Sequence, residues 1–219
     1  MKNKHRKLKI LIVIVLLVFL NITVIPAITL HFFLNRHYSY KGTESAKNPM
    51  QGIYKACDFS LVEKIHTLKT KDGEKLWVSE ISPNSPDAVV IYLSGIVQPS
   101  VTYFYGHAKI MFNDNIATFL LEVRSHGEST GKQLGLGYTE VEDVRTVIDY
   151  IQSKKKYNNV PIILHGVSMG GAIALNAFGM LDEVDACIAM SPYASFEKQL
   201  DLLMKKYNIP AFIRKYELF

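Results

Sequence analysis

Residues 162–172 read IILHGVSMGGA, and this stretch decides the fold class. Its apolar first residues are typical of a short buried strand, and a helical pattern begins at Met169. Between them, Gly166, Ser168 and Gly170 form a G-x-S-x-G pattern, which is typical of a sharp strand-to-helix turn with an exposed serine hydroxyl. We expect glycine at both positions because a side chain there would collide with neighbouring backbone.

The start of the predicted helix gives Ser168 a chemical setting. A helix N-terminus presents free backbone N–H groups and the positive end of the helix dipole. Such groups can hold the negatively charged oxygen that forms when a serine attacks a carbonyl carbon. Ser168 is therefore a candidate nucleophile, and the alternative is an ordinary turn whose serine has no chemical role.

The rest of the chain alternates apolar runs with helical patterns. Continuous apolar runs at residues 88–93, 116–123 and 186–190 predict strands covered on both faces. Helical patterns occupy residues 102–112, 140–155 and 196–207. This alternation predicts an α/β fold, with a mostly parallel sheet and helices on both faces.

Two further segments, residues 61–70 and 76–81, alternate apolar and polar side chains and are separated by Asp72-Gly73. This arrangement predicts a β-hairpin, which would lie at one edge of the sheet. His66, on its first strand, is expected to face solvent.

The positive charge of the chain is concentrated at its N-terminus. The net charge is +5, and five of the first nine residues are basic while none is acidic. Without those five, 20 basic and 20 acidic residues balance, so the charge gives no argument for nucleic-acid binding. No His/Cys spacing typical of a metal site is present.

An apolar segment follows the basic residues. Residues 10–25 are almost all aliphatic, and the apolar character continues to Leu34. A helix over about residues 8–33 would cross a hydrocarbon core of roughly 30 Å. The basic flank would stay in the cytoplasm, which predicts a single-pass cell-membrane protein with an extracytoplasmic domain. The alternative is a cleaved secretory signal.

Three motifs follow separate predicted strands. Ser94-Gly95-Ile96 follows the first, RSHGESTG at residues 124–131 follows the second, and HGVSMGG at residues 165–171 contains the turn. In this order they resemble motifs of the α/β-hydrolase superfamily, and most closely those of its membrane-anchored bacterial serine aminopeptidase and lysophospholipase-like members. The resemblance covers about residues 61–193.

The resemblance implies a role for five residues. Ser168 would be the nucleophile, the backbone N–H groups of Ile96 and Met169 would form the oxyanion hole, and Gly166 and Gly170 would shape the nucleophile elbow. The reaction would cleave an ester, thioester or amide of a small-molecule, lipid or peptide acyl substrate through an acyl-enzyme. Serine acyl transfer needs no cofactor or metal.

The family's catalytic triad follows the order Ser, then Asp or Glu, then His, and no histidine follows His165 in this sequence. His126 and His165 would be structural. The resemblance therefore implies that the last strands of the sheet, with the triad acid and base, are missing. A serine hydrolase would need them from a longer chain or from a second polypeptide. The alternative is a non-catalytic, truncated, hydrolase-like protein tethered to the membrane.

These observations predict three parts of the chain. Residues 1–35 would be the basic flank and membrane anchor, and residues 36–59 a polar linker. Residues 60–219 would form a partial α/β-hydrolase domain, with a cap region beginning at about residue 195.

Overall fold

The computed structural model of the chain describes residues 2–38, 52–96, 98, 100–206, 210, 211 and 214. Contacts divide the chain into two compact units: one combines residues 1–35 with residues 195–219, and the other comprises residues 36–194. Most of the predicted linker, residues 39–51, lies outside the described residues. The predicted three-part organisation therefore stays a prediction.

The larger unit contains a six-stranded sheet in the order β1-β2-β4-β3-β5-β6. Its strands are β1 Lys64–Lys69, β2 Lys75–Ile81, β3 Ala88–Leu93, β4 Ile116–Leu121, β5 Ile162–Val167 and β6 Ala186–Met190. Strands β4, β3, β5 and β6 pair in parallel, whereas β2 is antiparallel to both β1 and β4. The sheet confirms the predicted parallel arrangement with an antiparallel hairpin at one edge.

Helices cover both faces of this sheet. Helix α3 (Tyr105–Asn113), preceded by a 3₁₀ turn (Val101–Phe104), packs on one face, and helices α4 (Val141–Gln152) and α5 (Met169–Met180) pack on the other. Short 3₁₀ turns also occupy Ala56–Phe59 and Lys155–Tyr157. The helices therefore divide the core into two layers.

The apolar stripe of α4 shows why this helix forms. Its buried apolar residues recur at helical spacing and join the core on the α5 side: Val141, Val144, Val147, Ile148 and Ile151. Each such side chain contributes about 2 kcal/mol when it is fully buried. The apolar residues whose spacing predicts the helix are thus the same residues that pack it against the sheet.

The topology also determines where a site can form. Strands β3, β4 and β5 run in parallel, so their carboxyl ends meet at one edge of the sheet. The loops that follow these strands carry the three motifs. In sheets of this kind ligands bind at the carboxyl ends of the strands.

His66 does not face solvent, so its predicted placement is wrong. Its side chain is only 10% exposed, and its Nε2 lies 2.7 Å from Glu80 Oε2 on β2. The alternation of β1 is real, but the aromatic ring of Tyr150 from α4 covers this position, with the ring centroids 4.6 Å apart.

The smaller unit contains helices α1 (Lys2–Phe19), α2 (Ile25–Leu34) and α6 (Phe196–Lys206). A π-helical turn, Leu20–Val24, separates α1 from α2. Within this stretch Asn21 Nδ2 donates to Leu17 O at 2.9 Å and Thr23 Oγ1 to Phe19 O at 2.7 Å. Side-chain bonds of this kind compete with the regular helical pattern.

None of the helices in the described ranges is both long enough and apolar enough to cross a membrane. The transmembrane helix predicted over residues 8–33 is therefore not found. The first eight residues of helix α1 form a largely basic segment, and helix α2 has only ten residues.

Candidate active site

Ser168 occupies the sharp turn between β5 and α5. Its backbone has φ 56° and ψ −117°, a region that residues other than glycine rarely adopt. Its N–H donates to Met190 O on β6 at 2.8 Å. A strained serine held in this way is typical of a functional position.

Two glycines make the turn possible. A Cβ built on Gly166 would lie 2.0 Å from Gly170 O, and one built on Gly170 would lie 2.3 Å from Leu93 O. Both distances are far below van der Waals contact, and in both cases the obstacle is backbone. Any side chain at Gly166 or Gly170 would thus collide with backbone, as the sequence pattern predicts.

Met169 begins helix α5 directly after Ser168. The helical bonding starts at the serine itself, because Ala172 N donates to Ser168 O at 3.1 Å. The first N–H groups of a helix have no partner within the helix. Met169, whose side chain is buried, therefore places an N–H group at the positive end of the helix dipole.

The loop after β3 lies against Ser168. A Cβ built on Gly95 would be 3.2 Å from Ser168 Cβ. Gln98 folds the loop back: its N–H donates to Gly95 O at 3.2 Å, and its Oε1 accepts from Gly95 N. Tyr103 Oη also donates to Gln98 Oε1, at 3.1 Å. The loop thus packs Gly95, the residue before Ile96, against Ser168.

A buried ion pair fixes the loop after β4. Arg124 Nη2 lies 2.7 Å from Asp143 Oδ1 on α4, and Arg124 Nη1 lies 2.6 Å from Asp72 Oδ2 in the hairpin turn. Arg124 N also donates to Asp143 Oδ2 at 2.8 Å. Burial raises the pKa of Asp143 to about 6, although its bonds to Arg124 oppose the shift.

The two histidines of the motifs are engaged elsewhere. His126 is fully buried, and its ring nitrogens lie 3.1 Å from Arg124 O and Ile96 O. His165 packs against the rings of Tyr92 and Phe104, and burial, with His107 nearby, lowers its pKa. In the described residues, no histidine ring is hydrogen-bonded to the Ser168 hydroxyl.

Sequence reasoning missed three groups that shape this region. Gln98 folds the glycine loop, Asp143 holds Arg124, and Tyr38 stacks on His126 with the ring centroids 5.1 Å apart. Only Asp143 left a signal in the sequence, as an acidic residue beside the apolar stripe of an amphipathic helix. For Gln98 and Tyr38, no local sequence pattern indicates which group each will contact.

A parallel sheet between helix layers, with a strained serine after a central strand and a glycine loop beside it, defines the α/β-hydrolase class. Residues 84–215, more than half of the chain, match the family model described as serine aminopeptidase, S33. The chain belongs to this family.

Individual relatives are distant. YqkD, an uncharacterized protein of Bacillus subtilis, is 28% identical over 137 residues, which cover 60% of this chain and 43% of YqkD. Human ABHD12B is 26% identical over 134 residues, which cover 58% of this chain and 36% of that protein. The chain thus spans less than half the length of either relative.

A solved structure supports the fold. The esterase Pf2001 of Pyrococcus furiosus superposes with a TM-score of 0.64 at 23% identity, covering 76% of this chain and 67% of the esterase. At this identity the likeness establishes the fold and not the substrate.

Proposed function

We propose that the chain is a serine hydrolase that cleaves an ester, thioester or amide through an acyl-enzyme on Ser168. The observation that carries the proposal is the position of Ser168 at a strained turn, with the Gly95 loop packed against it. Membership of the serine aminopeptidase, S33 family supports hydrolysis in general.

The proposed reaction has two steps. Ser168 Oγ attacks the carbonyl carbon while its proton leaves to a base, and the N–H groups of Ile96 and Met169 hold the oxyanion. Collapse of the tetrahedral intermediate expels the alcohol, thiol or amine, which takes up the proton, and leaves Ser168 acylated. Water then attacks the acyl group in the same way, releasing the acid and restoring Ser168.

The base is the open part of this mechanism. A serine hydroxyl is a weak nucleophile until a base takes its proton. The hydrogen bonds described for histidine rings join them to groups other than Ser168. The two ring bonds of His126, for example, go to backbone oxygens. In the described residues no base is hydrogen-bonded to Ser168 Oγ, so the proposed activation needs a base that moves to the serine or comes from elsewhere.

This observation favours a second candidate function, a non-catalytic hydrolase-like protein. Such a protein would keep the elbow and the glycine loop as a folded framework and would bind without cleaving. The two candidates differ in one measurable property, the reactivity of the Ser168 hydroxyl.

The substrate class that we propose is a small-molecule, lipid or peptide acyl compound.

The N-terminal helix favours a membrane location, because its apolar side chains from Leu8 to Leu20 are about half exposed. We propose that this segment inserts into lipid and holds the domain at the cell membrane. Deletion of residues 1–35 should then release the protein from the membrane fraction of the source cells.

The test of the hydrolase proposal is labelling with a fluorophosphonate, which reacts with activated serines. Membranes of the source cells, resolved by mass, would be compared with cells carrying Ser168→Ala. Ser85→Ala is the matched control, because Ser85 is exposed on the loop before β3.

A Ser168-dependent band at the mass of this chain would support the hydrolase and show that a base reaches the serine. A heavier Ser168-dependent band would support it within a longer polypeptide. If the protein is present and no band depends on Ser168, the non-catalytic candidate stands.

A further inference from the structure

Gln98 holds the loop after β3 through both sides of Gly95. Its backbone N–H donates to Gly95 O at 3.2 Å, and its side-chain Oε1 accepts from Gly95 N. Gln98 is only 7% exposed, so these bonds are shielded from water. Because a peptide group is planar, the two bonds fix the orientation of both peptide groups that flank Gly95.

The second of these peptide groups carries the N–H of Ile96. In a trans peptide group the C=O and the N–H point in opposite directions, so the bond from Gln98 to Gly95 O turns the Ile96 N–H away from Gln98. The next carbonyl, Ile96 O, lies 3.1 Å from His126 Nε2. Within the described part of the chain, no group accepts a hydrogen bond from the Ile96 N–H. The loop therefore keeps this donor available to a ligand.

Tyr103 holds the side chain of Gln98 in place. Its hydroxyl donates to Gln98 Oε1 at 3.1 Å, so this oxygen accepts from Tyr103 and from Gly95 N at once. Burial, with Glu122 nearby, raises the pKa of Tyr103. The hydroxyl therefore keeps its proton at neutral pH and remains a donor.

Glu122, which follows β4 directly, anchors the turn that carries Tyr103. Ser100 Oγ donates to Glu122 Oε1 at 2.6 Å, and Val101 N donates to the same oxygen at 3.0 Å. Ser100, Val101 and Glu122 are all fully buried. The turn that presents the Tyr103 hydroxyl is therefore fixed to the end of a central strand.

This series of hydrogen bonds ends beside the candidate nucleophile, since Gly95 packs against Ser168. We infer that Tyr103 is a positioning residue, which fixes Gln98 and thereby directs the Ile96 N–H toward the oxyanion. This role in the reaction rests on the proposed function, whereas the effect of Tyr103 on the loop does not.

Two tyrosines of one segment provide a matched comparison. Tyr103→Phe removes the hydroxyl that bonds Gln98. Tyr105→Phe removes a hydroxyl that donates to Glu63 and to Ser79, which lie before β1 and on β2. Each variant loses one hydrogen-bonded hydroxyl and keeps the aromatic ring. An effect confined to Tyr103→Phe therefore reports on the loop and not on a general loss of stability.

Hydrogen exchange at the Gly95 amide tests the hold on the loop independently of any reaction. NMR of the full chain, labelled with ¹⁵N-glycine, gives a Gly95 signal that is identified by its absence from Gly95→Ala. We expect this amide to exchange about fivefold faster in Tyr103→Phe than in Tyr105→Phe, as expected for the loss of one hydrogen bond. Equal exchange rates in the two variants would overturn the inference.

Fluorophosphonate labelling of Ser168 tests the role in the reaction, because the phosphoryl oxygen of the probe occupies the oxyanion hole. Tyr103→Phe should lower the maximal labelling rate about fivefold and leave the half-saturating probe concentration unchanged. Tyr105→Phe should label at the wild-type rate. Gln98→Met, which removes the acceptor, should lower the maximal rate about 10-fold, less than the roughly 10²–10³-fold expected for losing an oxyanion donor outright.

If Tyr103 acts through Gln98, the effects of the two substitutions are not additive. In the Gln98→Met chain, Tyr103→Phe should change the labelling rate by less than about twofold. A full-sized effect of Tyr103→Phe in that chain would overturn the positioning role. Equal labelling of Tyr103→Phe and Tyr105→Phe, in chains that Trp77 fluorescence shows to be folded, would also overturn it.

The two measurements separate this inference from the proposed function. If no chain labels at Ser168, the proposed function fails, and the exchange rates of the Gly95 amide alone decide whether Tyr103 holds the loop. If the chains label but Tyr103→Phe changes neither rate, the proposed function stands and the inference fails.

Discussion

The backbone of Gly95 lies against the side chain of Ser168, so that a Cβ on Gly95 would be 3.2 Å from Ser168 Cβ and 2.7 Å from Gln98 Oε1. The loop after β3 and the turn after β5 are therefore fitted to each other at this point. A methyl group here would push Gln98 away and shift the loop that carries Ile96.

From this contact we predict that Gly95→Ala lowers the rate of fluorophosphonate labelling at Ser168 about 10-fold or more, because it displaces one oxyanion donor. Gly106→Ala is the control, since its methyl would meet only Phe59 at an ordinary 3.5 Å. Labelling of Gly95→Ala at the wild-type rate would show that the loop does not contribute to the reactivity of Ser168.

Helix α5 offers a matched pair of glycines for a stability prediction. A Cβ on Gly170 would lie 2.3 Å from Leu93 O and 2.6 Å from Ser94 O, whereas one on Gly179 would meet nothing within 4 Å. Gly170→Ala should destabilise the fold by about 3 kcal/mol, because backbone must move. Gly179→Ala should stabilise it by about 0.5–1 kcal/mol, because alanine is the better helix former.

Urea unfolding followed by the fluorescence of Trp77, the single tryptophan of the chain, measures both changes. Equal stability of the two variants would mean that the turn relaxes to admit a side chain at Gly170, and the glycine would then have no structural requirement.

The strands and the turn at Ser168 could be predicted from the sequence because patterns in neighbouring residues encode them. The apolar runs at residues 88–93 and 186–190 became β3 and β6 with the predicted bounds. Strand β3 is buried as predicted, but the prediction that β6 is covered on both faces is wrong, since Ile188 and Met190 are about half exposed on this edge strand. The turn at Ser168 was also predictable, since strand, glycines and helix are contiguous. These features depend on burial and on backbone space, both of which leave a pattern in neighbouring residues.

The polar contacts could not be read in this way. His66 was expected in solvent, yet it meets Glu80 across the hairpin, and His37 meets Gly131, 94 residues further along the chain. Such pairs depend on strand register and on how distant loops pack. A sequence pattern shows that a position is polar, but not which polar group it will face.

Arg124 provides a second matched pair, since it binds two aspartates of different exposure. The Asp143 side chain is fully buried, whereas that of Asp72 is 50% exposed. Asp143→Asn should cost about 3–5 kcal/mol in urea unfolding, because it leaves Arg124 partly unpaired in the core. Asp72→Asn should cost less than about 1 kcal/mol, as expected for an exposed ion pair. Similar losses in the two variants would contradict the assignment of Asp143 as the main anchor of this loop.

Glu80 makes the stability of the fold sensitive to acid. Burial alone would raise the pKa of this carboxyl, but hydrogen bonds from Lys156, Tyr157 and His66 outweigh it and lower the pKa to about 2. A carboxyl whose pKa is lowered by folding stabilises the protein above its unfolded value, and this stabilisation is lost as the pH falls toward the folded value.

We therefore expect Glu80 to contribute about 3 kcal/mol above about pH 5 and progressively less down to about pH 2. Urea unfolding of the wild type and of Glu80→Gln, monitored through Trp77 at each pH, isolates this contribution, because the glutamine does not titrate in this range. The difference between the two chains should shrink as the pH is lowered through this window. A difference that stays constant with pH would show that the Glu80 pKa is the same in the folded and unfolded chains, and the carboxylate would then stabilise the β1–β2 hairpin by packing alone.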